Sequence, residues 1–153
     1  MNYTLDDWMP EEVDFKLFHI YCHLKDYRLC WALNEQFRCK MVRVDDFLDE
    51  DSNLPSYAQF YWKDDIMHRE FYLISNKPAT TNAVVQNGDL FATESRELLI
   101  PDVKKVDYFL QVYGQFTSIE LEEIEEHLNM IQFINAAKMV DTSSSKSYLN
   151  LMH

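Results

Sequence analysis

The run Val13-Asp-Phe-Lys-Leu-Phe-His-Ile-Tyr-Cys22 constrains the fold more than any other stretch of this chain. A strand with one wet face alternates polar and apolar residues. This one is apolar or aromatic almost throughout, which fits a central strand covered, at least in part, on both faces. Cover of that kind needs a sizeable core. The 153 residues supply it, with 47% apolar and 14% aromatic side chains, and their number suits a single domain spanning 1–153.

The rest of the chain divides by pattern. Residues 1–12 read as a lead-in that Leu5, Trp8 and Met9 pin down in part. Leu24 to Phe37 has helical spacing, with Leu29, Cys30, Leu33 and Phe37 on one face. His23 stands at its N-cap position, three residues before Asp26. Lys40 to Val44 reads as a short strand, and 45–55 as an acidic loop. That loop lacks the glycine and the spacing of a calcium-binding loop. Tyr57–Lys63 and Arg69–Ser75 form an aromatic hairpin around Lys63-Asp64-Asp65. Residues 76–96 read as a long polar loop. Leu98–Ile100 is a short strand, and Pro101-Asp102 the turn after it. Val106–Tyr113 is a second strand, with Val106, Tyr108, Leu110 and Val112 on one face, and Gly114 ends it. Thr117-Ser-Ile-Glu120 is a capping box opening a helix with the apolar stripe Leu121, Ile124, Leu128 and Ile131. Ala136–Val140 closes as a strand. The tail 141–153 is flexible around its serines, but Tyr148-Leu-Asn-Leu-Met152 should dock, as an edge strand or on a partner.

Residues 13–44 and 106–140 are each a strand–helix–strand unit of crossover length. The expected fold is α+β, a ferredoxin-like two-layer sandwich of two βαβ units with both helices on one face. The aromatic hairpin is an insertion that widens the sheet. The closing unit resembles half of an ACT-type regulatory module. That resemblance implies a small-ligand site at the strand-to-helix turn, where Gly114 stands.

Ile100-Pro-Asp-Val-Lys-Lys-Val-Asp-Tyr108 resembles the motif that names the IPExxVDY family of small Bacteroidetes proteins. Asp102 stands where that name has Glu, and three residues rather than two precede Val106-Asp107-Tyr108. Asp26-Tyr-Arg-Leu29 followed by Leu33-Asn34 is similar to the family's first-helix pattern. Ser145-Lys-Ser147 before an apolar end is similar to its C-terminal one. The resemblance covers residue 13 to the end and implies no activity.

Candidate binding residues follow from these motifs. Pro101, Asp102, Lys104, Asp107 and Tyr108 could form a polar pocket or docking surface. Each also has a structural use: Pro101 stops a strand, Asp102 accepts turn amides, and Tyr108 buries its ring. Arg28, beside Tyr27, could clamp a carboxylate or phosphate, or simply pair with a local acid. His19 and His23 have H-x-x-x-H spacing. A strand followed by a helix start does not bring them together, so no metal site is assigned. Glu120, Glu122, Glu123, Glu125 and Glu126 make a solvated face or a docking face for a basic partner.

Charge and composition exclude more than they select. The net charge of −12 disfavours nucleic acid and anionic membranes, and only two glycines leave no phosphate-binding loop. No apolar run reaches the roughly 20 residues of a membrane span. The acidic N-terminus is unlike a secretory signal, and Cys22, Cys30 and Cys39 read as reduced thiols of a cytoplasmic protein. No catalytic motif and no cofactor signature is present; a Cys22–His19 or Cys30–His23 nucleophile has no visible activator. The sequence therefore points to a cytoplasmic, non-enzymatic interaction or adaptor protein. Its partner is a basic-surfaced protein or a second copy of itself. The alternatives are an ACT-like small-ligand sensor and an enzyme with an unfamiliar site.

Overall fold

The computed structural model describes residues 14–48, 55–79 and 98–153. The lead-in, most of the acidic loop and nearly all of the long polar loop lie outside the described residues. Six strands form one sheet: β1 (Lys16–Cys22), β2 (Val42–Phe47), β3 (Tyr57–Asp64), β4 (Arg69–Pro78), β5 (Tyr108–Tyr113) and β6 (Ile134–Val140). Its order is β2-β3-β4-β5-β1-β6, and every neighbouring pair is antiparallel. Two α-helices complete the regular structure among these residues, α1 (Asp26–Phe37) and α2 (Ser118–Met130). The fold is α+β.

β1 has strands on both sides and apolar cover on both faces. Phe18, Ile20 and Cys22 join the core beneath α1 and α2, with Leu33, Leu73, Leu110 and Leu128. Leu17 points the other way, into a second core with Phe109, Ile74, Leu99, Ile100, Tyr148 and Leu151. Period-2 alternation produces this division, and the continuous apolar run is its trace in the sequence. At each fully buried leucine, truncation to alanine would cost about 2–5 kcal/mol.

The two strand–helix–strand units differ. In the second, α2 connects β5 to β6, and β1 lies between them, antiparallel to both. In the first, α1 carries the chain from β1 to the far edge, leaving β3, β4 and β5 between β1 and β2. The strand order is not a simple βαβ pattern.

Local signals act as expected in several places. Thr117 Oγ1 accepts the Glu120 amide, and Glu120 returns the bond to the Thr117 amide, so the capping box is complete. The hairpin pairs Tyr61 with Tyr72 and Trp62 with Phe71. Gly114 has φ +122°, and a Cβ there would lie 2.9 Å from Arg69 Cγ. Only glycine adopts that backbone freely.

Other expectations need correction. Lys25, not His23, is the N-cap of α1, and it supplies no side-chain cap. β2 continues through Asp45 and Asp46 to the buried Phe47. Asn76–Pro78 belong to β4, not to a loop. Leu98–Ile100 is not a strand. The Leu99 and Ile100 amides donate to the main-chain and side-chain oxygens of Asn76, and Pro101–Val103 then forms a 3-10 turn. Val106 precedes β5 and packs in the second core, away from Tyr108, Leu110 and Val112. The tail docks on its own chain as a 3-10 segment, Lys146–Leu151, rather than as an edge strand.

Candidate functional site

Two helices about 10 Å wide cannot cover six strands spaced about 4.8 Å apart. The shortfall is on the helical face, where the β3–β4 hairpin extends past α1 and α2. A cleft of about 280 Å³ opens there. Leu33 and Phe37 of α1 form one wall, Trp62 and Phe71 of the hairpin another, and Ile124 and His127 of α2 a third. Leu110 and Phe116 also line it. The rings are in contact: Trp62 stacks on Phe71 at 5.3 Å, Phe116 stands edge-on to Phe71 at 6.1 Å, and His127 stands edge-on to Phe37 at 5.8 Å.

The charged groups of the cleft divide into engaged and free. Arg69 donates to the Gln115 carbonyl, pairs with Glu120 at 2.9 Å and lies over the Phe116 ring at 4.1 Å. Glu120 also receives the Thr117 amide. That amide and Arg69 hold the carboxyl below its ordinary pKa. Asp64 uses one oxygen to cap the hairpin turn through the Ile66 and Met67 amides. Glu123 is exposed and makes no ion pair among the described residues.

The residues singled out by sequence do not converge on one site. Asp107 and Tyr108 line a smaller, polar hollow of about 90 Å³ with Cys22, His23, Leu24, Ser75 and Lys77. Asp107 accepts the Cys22 amide at 2.8 Å and faces Lys77 Nζ at 3.8 Å, and the Tyr108 hydroxyl donates to the Leu24 carbonyl at 2.6 Å. Both stitch the end of β1 to its neighbours. Asp102 does not hold turn amides. It accepts the hydroxyls of Ser145 and Ser147, at 3.3 and 2.5 Å, and so anchors the C-terminal segment. Pro101 and Lys104 are exposed. Tyr27 and Arg28 are exposed on α1, where Arg28 has no ion pair among the described residues. Gly114 lies beside Arg69 of the cleft, and Glu120 and Glu123 of the acidic helix face line the cleft itself.

The thiol and imidazole candidates separate for a simple reason. Cys22 and His19 lie on opposite faces of β1. His19 is buried and hydrogen-bonded to the Tyr148 hydroxyl at 3.0 Å, while His23 is exposed. Burial raises all three thiol pKa values, that of Cys30 to about 11, which opposes thiolate formation near neutrality.

Both sheet edges are blunted. On β6, Asn129 bonds the Ala137 amide and carbonyl, and Glu125 accepts the Met139 amide at 2.7 Å. On β2, the register breaks between Val44 and Phe47, and Arg43 pairs with Asp46. Such edges resist strand addition.

Two groups were hidden in the sequence. The cleft is assembled from five elements, so no local motif announces it, although the aromatic hairpin, the helix stripes and the acidic face of α2 that wall it were each visible separately. Asn76 was hidden inside an apparent loop, yet it is fully buried and joins β4 to the segment 100–106 by three side-chain hydrogen bonds. No protein-family model matches the chain, and no curated protein or solved structure matches it either.

Proposed function

We propose that this chain is a cytoplasmic, non-enzymatic interaction protein that docks a basic-surfaced partner through its helical-face cleft. The observation that carries the reading is the cleft itself, an aromatic-lined trough with Asp64 and Glu123 on its lining and a net charge of −12 around it. Interfaces place their binding energy in such desolvated aromatic centres, and complementary charge sets register and encounter rate. The sheet edges are blunted, and the apolar tail is docked on its own chain. The hairpin wall of the cleft remains.

The ferredoxin-like reading of the fold draws support from part of the sheet. β6-β1-β5-β4 follows the order of that fold if β4, and not the expected β2, is its fourth strand, so that β2 and β3 rather than the β3–β4 hairpin are the addition.

Affinity capture from native lysate tests the proposal, run in parallel with the wild type and with Ile124→Arg, which puts a cation into the cleft. A stoichiometric partner, weakened by salt and lost on Ile124→Arg, is the expected result. Identical capture by the two proteins refutes it. The ACT-like reading has one observation in its favour, that Phe116 and Glu120, just past Gly114, line the cleft. A thermal-shift screen of amino acids and nucleotides tests it, and the absence of any stabilising ligand rejects it.

A further inference from the structure

The chemistry of the cleft narrows what enters it. At about 280 Å³ it lies at the small end of ligand sites and has room for one large side chain. Its walls favour a ring. Trp62, Phe71 and Phe116 already form a stacked and edge-to-face series, with interplanar angles of 29° and 84°. A further ring entering the cleft extends that series, and each aromatic pair adds about 0.5–1.5 kcal/mol beyond the area it buries.

The charges select the surroundings of that ring. Among the described residues Arg69 is the one arginine or lysine lining the cleft, and its guanidinium is held by the Gln115 carbonyl, Glu120 and the Phe116 face. Its Nε and Nη2 are spent on these partners and its charge is already paired with Glu120, which disfavours anionic ligands. Glu123 and the free oxygen of Asp64 sit where a cation beside the ring would be received. We infer that the cleft takes an aromatic side chain flanked by lysine or arginine in a segment of the partner protein. This inference rests on the reading of the cleft as a docking surface and specifies its occupant.

Short capped peptides test it on the full chain: Lys-Lys-Phe-Lys-Lys, its Phe→Ala analogue and Glu-Glu-Phe-Glu-Glu. Binding is followed by amide and indole NMR signals. The first peptide is expected to shift the Trp62 indole and the amides of 114–120. The alanine peptide should bind at least ~10-fold more weakly, as removal of an aromatic anchor does. The acidic peptide should not bind. Glu123→Lys, at an exposed position, should weaken the first peptide with no change in the thermal midpoint. Equal affinity for the phenylalanine and alanine peptides would mean charge contact alone and would overturn the inference. So would undiminished binding to Ile124→Arg, or no binding by any peptide. If these peptides fail but Ile124→Arg still abolishes partner capture, the docking reading stands and only the named occupant falls.

Discussion

Replacing Asn76 with alanine is expected to cost several kcal/mol of stability. Its side-chain amide donates to Val106 O at 2.9 Å and Val103 O at 3.3 Å, and its oxygen accepts the Ile100 amide at 2.8 Å. Val103 O keeps a second donor, the Val106 amide. Removing the side chain therefore orphans two groups, Ile100 N–H and Val106 O, on residues only 0% and 2% exposed. A buried unsatisfied polar group costs about 1–3 kcal/mol, so the pair should cost about 2–6 kcal/mol. In a domain of this size each kcal/mol lowers Tm by about 2–4 °C, so a 3 kcal/mol loss means a fall of ~6–12 °C. Urea denaturation of wild type and Asn76→Ala, with the slope compared as well as the midpoint, measures the difference. Asn76→Asp separates the roles, because it keeps the acceptor for Ile100 and removes the donor. A loss under ~1 kcal/mol for Asn76→Ala would refute the reasoning, since water or a shifted backbone would then satisfy the orphaned groups.

Three further outcomes follow from the same structure. Burial lowers the His19 pKa from 6.5 to about 4, so the unfolded chain takes up a proton that the fold refuses as pH falls through that window. Stability is intact above about pH 6.5, and His19 should account for a drop of roughly 2–3 kcal/mol by pH 4.5, to which His153, also lowered by burial, adds in the same direction; His19→Gln should remove the His19 share of the slope in urea titrations, and equal slopes would reject the assignment. Gly114→Ala should destabilise by about 1–3 kcal/mol and disturb Trp62 fluorescence, because the new Cβ meets the Arg69 stem at a φ of +122°. Arg38 ends α1 at φ 54°, a left-handed cap that glycine adopts without strain. Arg38→Gly should raise stability by about 0.5–1 kcal/mol in thermal denaturation, and a loss would show that the arginine side chain contributes something else.

The VDY residues mark the boundary between what could and could not be read from the sequence. Asp107 and Tyr108 were visible as a motif, and their structural uses could be anticipated. Their partners could not, because Cys22 and Leu24 lie more than eighty positions away. Asp102 is the clearest case. Turn chemistry assigns it to nearby amides, whereas the chain folds its serines back onto it across more than forty residues. The cleft was less legible still, since its walls come from segments that share no pattern.

The sequence by itself determined the α+β class, both helices and their apolar faces, the T-x-x-E cap, the aromatic hairpin and a central first strand. Each is written in spacing that a local stretch of chain must obey, through 3.6-residue or two-residue periodicity, capping and turn chemistry. Only the tertiary structure decided which strands neighbour one another. It sent α1 across to the far edge, covered the second sheet face with the 99–106 segment and the tail, and left the cleft where two helices fall short of six strands. Those outcomes depend on how layers of fixed width cover a common sheet and on where buried amides find acceptors. Such balances are struck between distant residues, and no local pattern records them.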